Sequence, residues 1–180
     1  MSPWYYWADV PIRKKERIQI PEDYEKIDFP SVENRGIFIN DEEELDHWAR
    51  LHMNEDTIGV HTYEKIFELL LRLKGNYIWP AMHVNSFNRK QENGALAERM
   101  GIVVGTSHCD MLMRSNNREW RPWLEQKGYQ DVRYDYSVTG KNREILHEYW
   151  RESVRQNKEF EEAIHWECAE SMIPGSRPAC

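Results

Sequence analysis

Three short apolar runs, each followed by a stretch with helical spacing, constrain the fold of this chain more than any other feature of its sequence. The first, Gly36-Ile37-Phe38-Ile39, stops at Asn40-Asp41-Glu42-Glu43. It suits a buried strand that leads into a helix with an acidic first turn. From Thr62 to Lys74, Tyr63, Ile66, Phe67, Leu70 and Leu73 recur at spacings of three and four. That is the pattern of an amphipathic helix, with Thr62 as its cap and Gly75 as its stop. Asn76-Tyr77-Ile78-Trp79, closed by Pro80, forms the second strand, and Glu92 to Met100 forms a helix ending at Gly101. Ile102-Val103-Val104-Gly105 is the third strand and runs into Thr106-Ser107-His108-Cys109-Asp110; helices follow near Asn117 to Gln126 and Asn142 to Phe160.

Alternation of this kind implies parallel strands joined by right-handed crossovers, in a doubly wound sheet or a barrel. No G-x-G-x-x-G follows the first strand and no G-x-x-x-x-G-K occurs, so the nucleotide-cradling doubly wound folds lose support. An α/β barrel is the expectation. Met1 to Asn34, rich in aromatics, prolines and charge but without a lasting period, has the character of a connector.

Charge and composition remove several partners. A formal net charge of −7, with 31 acidic and 24 basic residues spread along the chain, argues against a surface that tracks phosphates, so no nucleic acid is expected. No stretch approaches the roughly 20 apolar residues of a membrane span, and Met1 to Val10 lacks the basic then apolar layout of a secretion signal. The hydrophobic content of 40%, with eight Trp, nine Tyr and five Phe, is enough for a packed core. Cys109, Cys168 and Cys180 are odd in number and lack metal-type spacing, so neither a disulfide framework nor a metal site is expected.

In a parallel barrel the chemistry sits at the C-terminal ends of the strands. Asn40, Asp41 and Glu42 follow the first strand; Trp79, His83 and Asn85 follow the second; Ser107, His108, Asp110 and Arg114 follow the third. Together these offer carboxylates, imidazoles, an aromatic platform and a cation to an acidic sugar. Each also has a structural reading. Asp41 to Glu43 would equally favour a helix N-terminus, and Trp79 is the kind of residue that more often fills a core. Arg114 would serve as a surface or structural cation, and Cys109 as a small packed residue, since no partner base is identifiable for a thiolate. The run from Ser107 to Asp110, placed directly after an apolar strand, leans toward function. A metal-assisted hydrolase built on His83, His108 and Asp110 is a weaker reading, because the two histidines lie on different loops without ligand spacing.

Four stretches taken in order, Ser2-Pro3-Trp4-Tyr5-Tyr6-Trp7-Ala8-Asp9-Val10-Pro11, Arg35-Gly36-Ile37-Phe38-Ile39-Asn40-Asp41-Glu42, Asn76-Tyr77-Ile78-Trp79-Pro80-Ala81-Met82 and Gly105-Thr106-Ser107-His108, resemble the signatures of glycoside hydrolase family 115. The resemblance extends from Ser2 to about Glu162. It implies the first units of a (β/α)₈ TIM barrel, about three strands with their helices. Residues 1–34 would then be a linker from an N-terminal domain and 35–164 a partial catalytic domain. The implied activity is release of glucuronic acid or its 4-O-methyl ether from glucuronoxylan or a xylo-oligosaccharide by inversion, without a cofactor or metal. The resemblance further implies an extracellular or periplasmic enzyme and allows a dimeric parent. Asp41 matches a position associated with the substrate pocket, and Trp79 and His108 match pocket-lining motifs. The sequence departs from the pattern at Asp110, where members often carry Glu, and at His83, where they often carry Trp. The substrate-binding set implied is Asp41, Trp79, His108 and Asp110.

The tail breaks the pattern. Where the family continues with a fourth strand and a motif Leu-Gly-Met-Arg-Gly-x-x-Asp, this chain has His165-Trp166-Glu167-Cys168-Ala169-Glu170-Ser171-Met172-Ile173. Read one register over from the third base of the Ile164 codon, those codons permit Thr-Leu-Gly-Met-Arg-Gly-Ile-His-Asp. Residues 165–180 are therefore expected to be an out-of-frame tail, arising from a frameshift or a wrongly called splice junction. The fourth-strand Arg and Asp are then missing, so the chain is expected to be an inactive fragment that is aggregated or molten when purified. The alternative is a non-catalytic carbohydrate-binding or pseudo-enzyme remnant.

Overall fold

The computed structural model describes residues 6–7, 15–40, 42–106 and 110–160. Asp41, the run from Ser107 to Cys109 and the tail of residues 165–180 lie outside the described residues. Three strands, β1 (Gly36–Phe38), β2 (Tyr77–Trp79) and β3 (Val103–Val104), form one parallel sheet in the order β1-β2-β3. Helices α1 (Glu42–Met53) and α2 (Val60–Arg72) connect β1 to β2, α3 (Gln91–Met100) connects β2 to β3, and α4 (Asn116–Lys127) and α5 (Lys141–Asn157) follow β3. Single turns of 3₁₀ helix occur at Phe87–Arg89 and Met111–Met113. The described residues thus form an α/β unit with a small parallel sheet.

Register follows from the strand pairs Gly36 with Tyr77, Phe38 with Trp79, and Ile78 with Val104. Alternation puts Ile78 and Val104 on one face. They are buried there with Tyr63, Ile66, Phe67 and Leu70 of α2 and with Leu96 and Ala97 of α3. Each large side chain so buried contributes about 1.5–3 kcal/mol, which is what holds the two helices against so short a sheet. A second core joins Trp120 and Trp123 of α4 to Ile145, Leu146 and Tyr149 of α5.

Three details correct the sequence reading. Helix α2 begins at Val60, two residues before Thr62, and Gly59 occupies the cap position. The cap itself comes from Glu55, whose carboxylate accepts hydrogen bonds from the amides of Gly59 (3.2 Å), His61 (2.9 Å) and Thr62 (3.1 Å) and from the Thr62 hydroxyl (2.6 Å). A carboxylate gathers three free amides where a Thr hydroxyl would take one. At the other end Lys74, not Gly75, takes the left-handed conformation, with φ of 64°. Gly75 matters for another reason: a β-carbon there would stand 3.0 Å from the Arg35 carbonyl, which receives the amides of Asn76 and Tyr77. Finally, β1 is exposed rather than buried, with Ile37 at 42% and Phe38 at 44%. It is an edge strand, as the buried β3 also is, and among the described residues no helix packs over it closely enough to cover it. The expected stop at Gly101 is observed, with φ of 68° and the Ile102 amide donating to the Ala97 carbonyl.

Candidate functional site

The three strands run in one direction, so their C-terminal ends share one edge of the sheet. One strand-end candidate from the sequence, which had a helix-start acid as its other reading, organises the edge. Glu42, the first residue of α1, is 3% exposed. Its carboxylate accepts hydrogen bonds from three consecutive amides of the loop after β2, those of His83 (2.6 Å), Val84 (2.9 Å) and Asn85 (3.0 Å), and from the Asn85 side-chain amide (3.0 Å). A buried carboxylate requires such donors, and here they satisfy it while binding the end of β1 to the end of β2. Asn85, itself buried, serves that anchor rather than facing outward.

Trp79 is half-buried and sits two residues from Tyr77, so both rings leave the same face of β2. The indole Nε1–H donates to the Tyr77 hydroxyl at 2.9 Å. Phe38 of β1 meets Trp79 edge-on, with ring centroids 5.5 Å apart. On the β3 side the pair lies over Gly105: a β-carbon there would overlap the Tyr77 hydroxyl and stand 2.9 Å from the Trp79 nitrogen. Glycine at 105 is therefore what lets two aromatic rings cross the strand ends.

Next to the end of β1 lies a concavity of about 410 Å³ lined by Trp7, Phe38, Ile39, Asn40, Leu45 and Trp48, among others. Trp7 stacks on Trp48 at 4.3 Å, and Trp48 stacks on His52 at 4.9 Å. Sequence reasoning singled out neither Trp7 nor Trp48. Trp7 lies within the aromatic motif near the start, and Trp48 is one of a few apolar residues on the charged helix α1; no local pattern pairs them.

His83 is exposed, and its Nδ1 lies 3.3 Å from the Asn117 side-chain amide. Asp110 is 7% exposed. Burial raises the hydroxyls of Tyr134 and Tyr149, and the Asp110 charge adds a smaller upward push, which places it near the second core. Arg114 is a buried structural cation: it donates to Glu119 at 2.8 Å and to the Tyr149 carbonyl at 3.3 Å, and its guanidinium lies 4.5 Å from the centre of the Tyr149 ring. Asp41 and His108, together with Ser107 and Cys109, fall outside the described residues. Of the expected set, then, Trp79 is at the edge, Asp110 is buried near the second core, and Asp41 and His108 lie outside the described residues. Among the described residues no three His, Cys, Asp or Glu side chains gather closely enough to hold a metal ion.

What the described strand ends present is an aromatic cluster, Phe38, Tyr77 and Trp79, beside the satisfied Glu42 anchor. The chain matches the family model described as Glycosyl hydrolase family 115 over residues 28–167. It belongs to glycoside hydrolase family 115. Among solved structures it is similar to a family GH115 4-O-methyl-alpha-glucuronidase with specificity for decorated arabinogalactans, at 33% identity and a TM-score of 0.79. All of this chain is covered by that match, but only 24% of the other, so the chain spans about a quarter of that family 115 enzyme. No curated protein matches it.

Proposed function

We propose that this chain is a piece of a family 115 glycosidase that releases glucuronic acid or its 4-O-methyl ether from a decorated polysaccharide, with glucuronoxylan as the substrate, and that it is inactive alone. The observation that supports this best is the family match over residues 28–167, joined to the likeness to a 4-O-methyl-alpha-glucuronidase. In this reading the three strands are the opening units of a (β/α)₈ barrel, residues 1–34 are its linker, 35–164 a partial catalytic domain and 165–180 an out-of-frame tail. Asp41, Trp79, His108 and Asp110 contribute to substrate binding. Trp79 offers an apolar surface to the sugar ring, and Asp41 and His108 supply polar groups to the pocket.

Inversion needs a carboxylic acid and a carboxylate about 6.5–9.5 Å apart with a water between them. In this reading the fourth-strand Arg and Asp that belong to the family's active site are absent from this frame, which is why the chain alone does not turn over. The test is to sequence genomic DNA and transcript from upstream of Met1 to beyond Cys180, then to assay uronic acid release. The expected result is a frame that runs through Leu-Gly-Met-Arg-Gly-x-x-Asp, with release of the uronic acid by the continuous product and none by the 180-residue chain. Release by the 180-residue chain would overturn the reading of inactivity. Release from decorated arabinogalactan but not glucuronoxylan would overturn the choice of polymer.

A further inference from the structure

The parallel pairing of β1 with β2 fixes which main-chain groups of β1 are already spent. The Arg35 carbonyl receives the Tyr77 amide, and the Ile39 amide donates to the Trp79 carbonyl. With Gly36 opposite Tyr77 and Phe38 opposite Trp79, residues 35, 37 and 39 turn their amides and carbonyls toward β2. Gly36 and Phe38 turn theirs outward from the open edge, and both residues are exposed. Edge strands are normally blunted by a lysine, a proline or a bulge. Gly36-Ile37-Phe38 has none of these.

The outward groups are symmetric about Ile37. Turned about a two-fold axis at Ile37, a second β1 runs antiparallel to the first. Gly36 then faces Phe38 of the second copy, and Phe38 faces Gly36 of that copy, each as a pair that exchanges both hydrogen bonds. Glycine has no side chain to obstruct the ring that arrives opposite it. Ile37, 42% exposed, meets Ile37 of the second copy at the narrow pair between, with Cα atoms about 4.5 Å apart. Beside it lies a groove of about 1170 Å³, with Leu70, Leu71 and Leu73 in its wall, which gives the isoleucine pair apolar neighbours on both copies. Charge sets the direction. The groove is lined by Lys26, Arg35 and Lys74 against one carboxylate, Asp28. The other end of β1 runs into the acidic first turn of α1, where Glu43 and Glu44 are exposed. Antiparallel pairing brings the basic end of each copy to the acidic end of the other, whereas parallel pairing would set like ends together. We infer that two copies of this chain pair through β1, antiparallel about a two-fold axis at Ile37, into one continuous sheet. The pairing uses both exposed edges at once, so it closes at two copies. It does not rest on the proposed hydrolysis.

The test is sedimentation velocity on the full 180-residue chain over a range of concentrations. The expected result is a monomer–dimer equilibrium that stops at twice 21.7 kDa. Ile37→Lys and Ile37→Glu, each alone, should weaken association at least tenfold, because each sets like charges directly opposite at the axis. An equimolar mixture of the two variants should recover association as a heterodimer, since opposite charges then meet. A parent chain that stays monomeric throughout would overturn the inference, and so would species that grow past the dimer, which mark an open ladder of strands. A mixture that associates no better than either variant alone would overturn the two-fold register at Ile37.

Discussion

Glu42 holds three consecutive amides and a side-chain amide of a loop that begins 41 residues later in the chain. Glu42→Gln would turn an NH₂ group toward donors that need an acceptor, so we expect a loss of about 2 kcal/mol, read as a lower denaturant midpoint. A variant as stable as the parent would show that the anchor contributes nothing. Gly105→Ala should also destabilise, by about 1–3 kcal/mol of overpacking, because its β-carbon meets the Tyr77 hydroxyl. Adding Tyr77→Ala removes that collision, so in a double-mutant cycle the two costs should fall short of additivity. Full additivity would mean that the rings do not depend on the glycine. Some of this was open to sequence reasoning: Tyr77 and Trp79, two apart in a strand, must share a face. The partners of Glu42 were not. Helix-start acids are common for dipole reasons alone, and nothing local encodes a bond across 41 residues.

At the scale of elements, the apolar periods located the helices that pack on the sheet, but not their ends. Helix α2 is set by Tyr63, Ile66, Phe67 and Leu70, which the spacing of three and four revealed; its start is set by Glu55, which lies outside the repeat. The exposure of β1 was likewise hidden, since Gly36-Ile37-Phe38-Ile39 has the composition of a covered strand and only what packs over it decides. Two carboxylates that brace helices lend the fold a pH dependence. Burial pushes Glu55 up, but the bonds from Thr62, His61 and Gly59 outweigh it and hold it below its ordinary value. Burial likewise raises Glu152, and the bonds from Lys127 and Trp123 bring it below. Both groups bind a proton less readily when folded, so their contribution is complete above the ordinary value of 4.5 and is lost as the pH falls through their lower folded values. Melting temperature should therefore drop on acidification below that point, and less steeply in Glu55→Gln. An unchanged slope would remove Glu55 from this account.

For the whole molecule, the outer edge of β1 and its side chains Ile37 and Phe38 stand open to solvent. An exposed parallel edge invites a further strand, so we expect the chain to bind a dye that reports apolar surface and to elute larger than its 21.7 kDa as concentration rises. Ile37→Lys should reduce both signals; a parent chain that stays monomeric and dye-free at every concentration would contradict this. The Glu42 anchor also imposes an order in time. A growing chain lengthens by about 5–20 residues per second, so the carboxylate emerges on the order of seconds before the amides it will hold. Until β2 has docked beside β1, neither partner has anything to bind. The anchor can therefore set only once residue 85 has been made, and a stall in synthesis between the two would leave a charged group waiting in a half-built core.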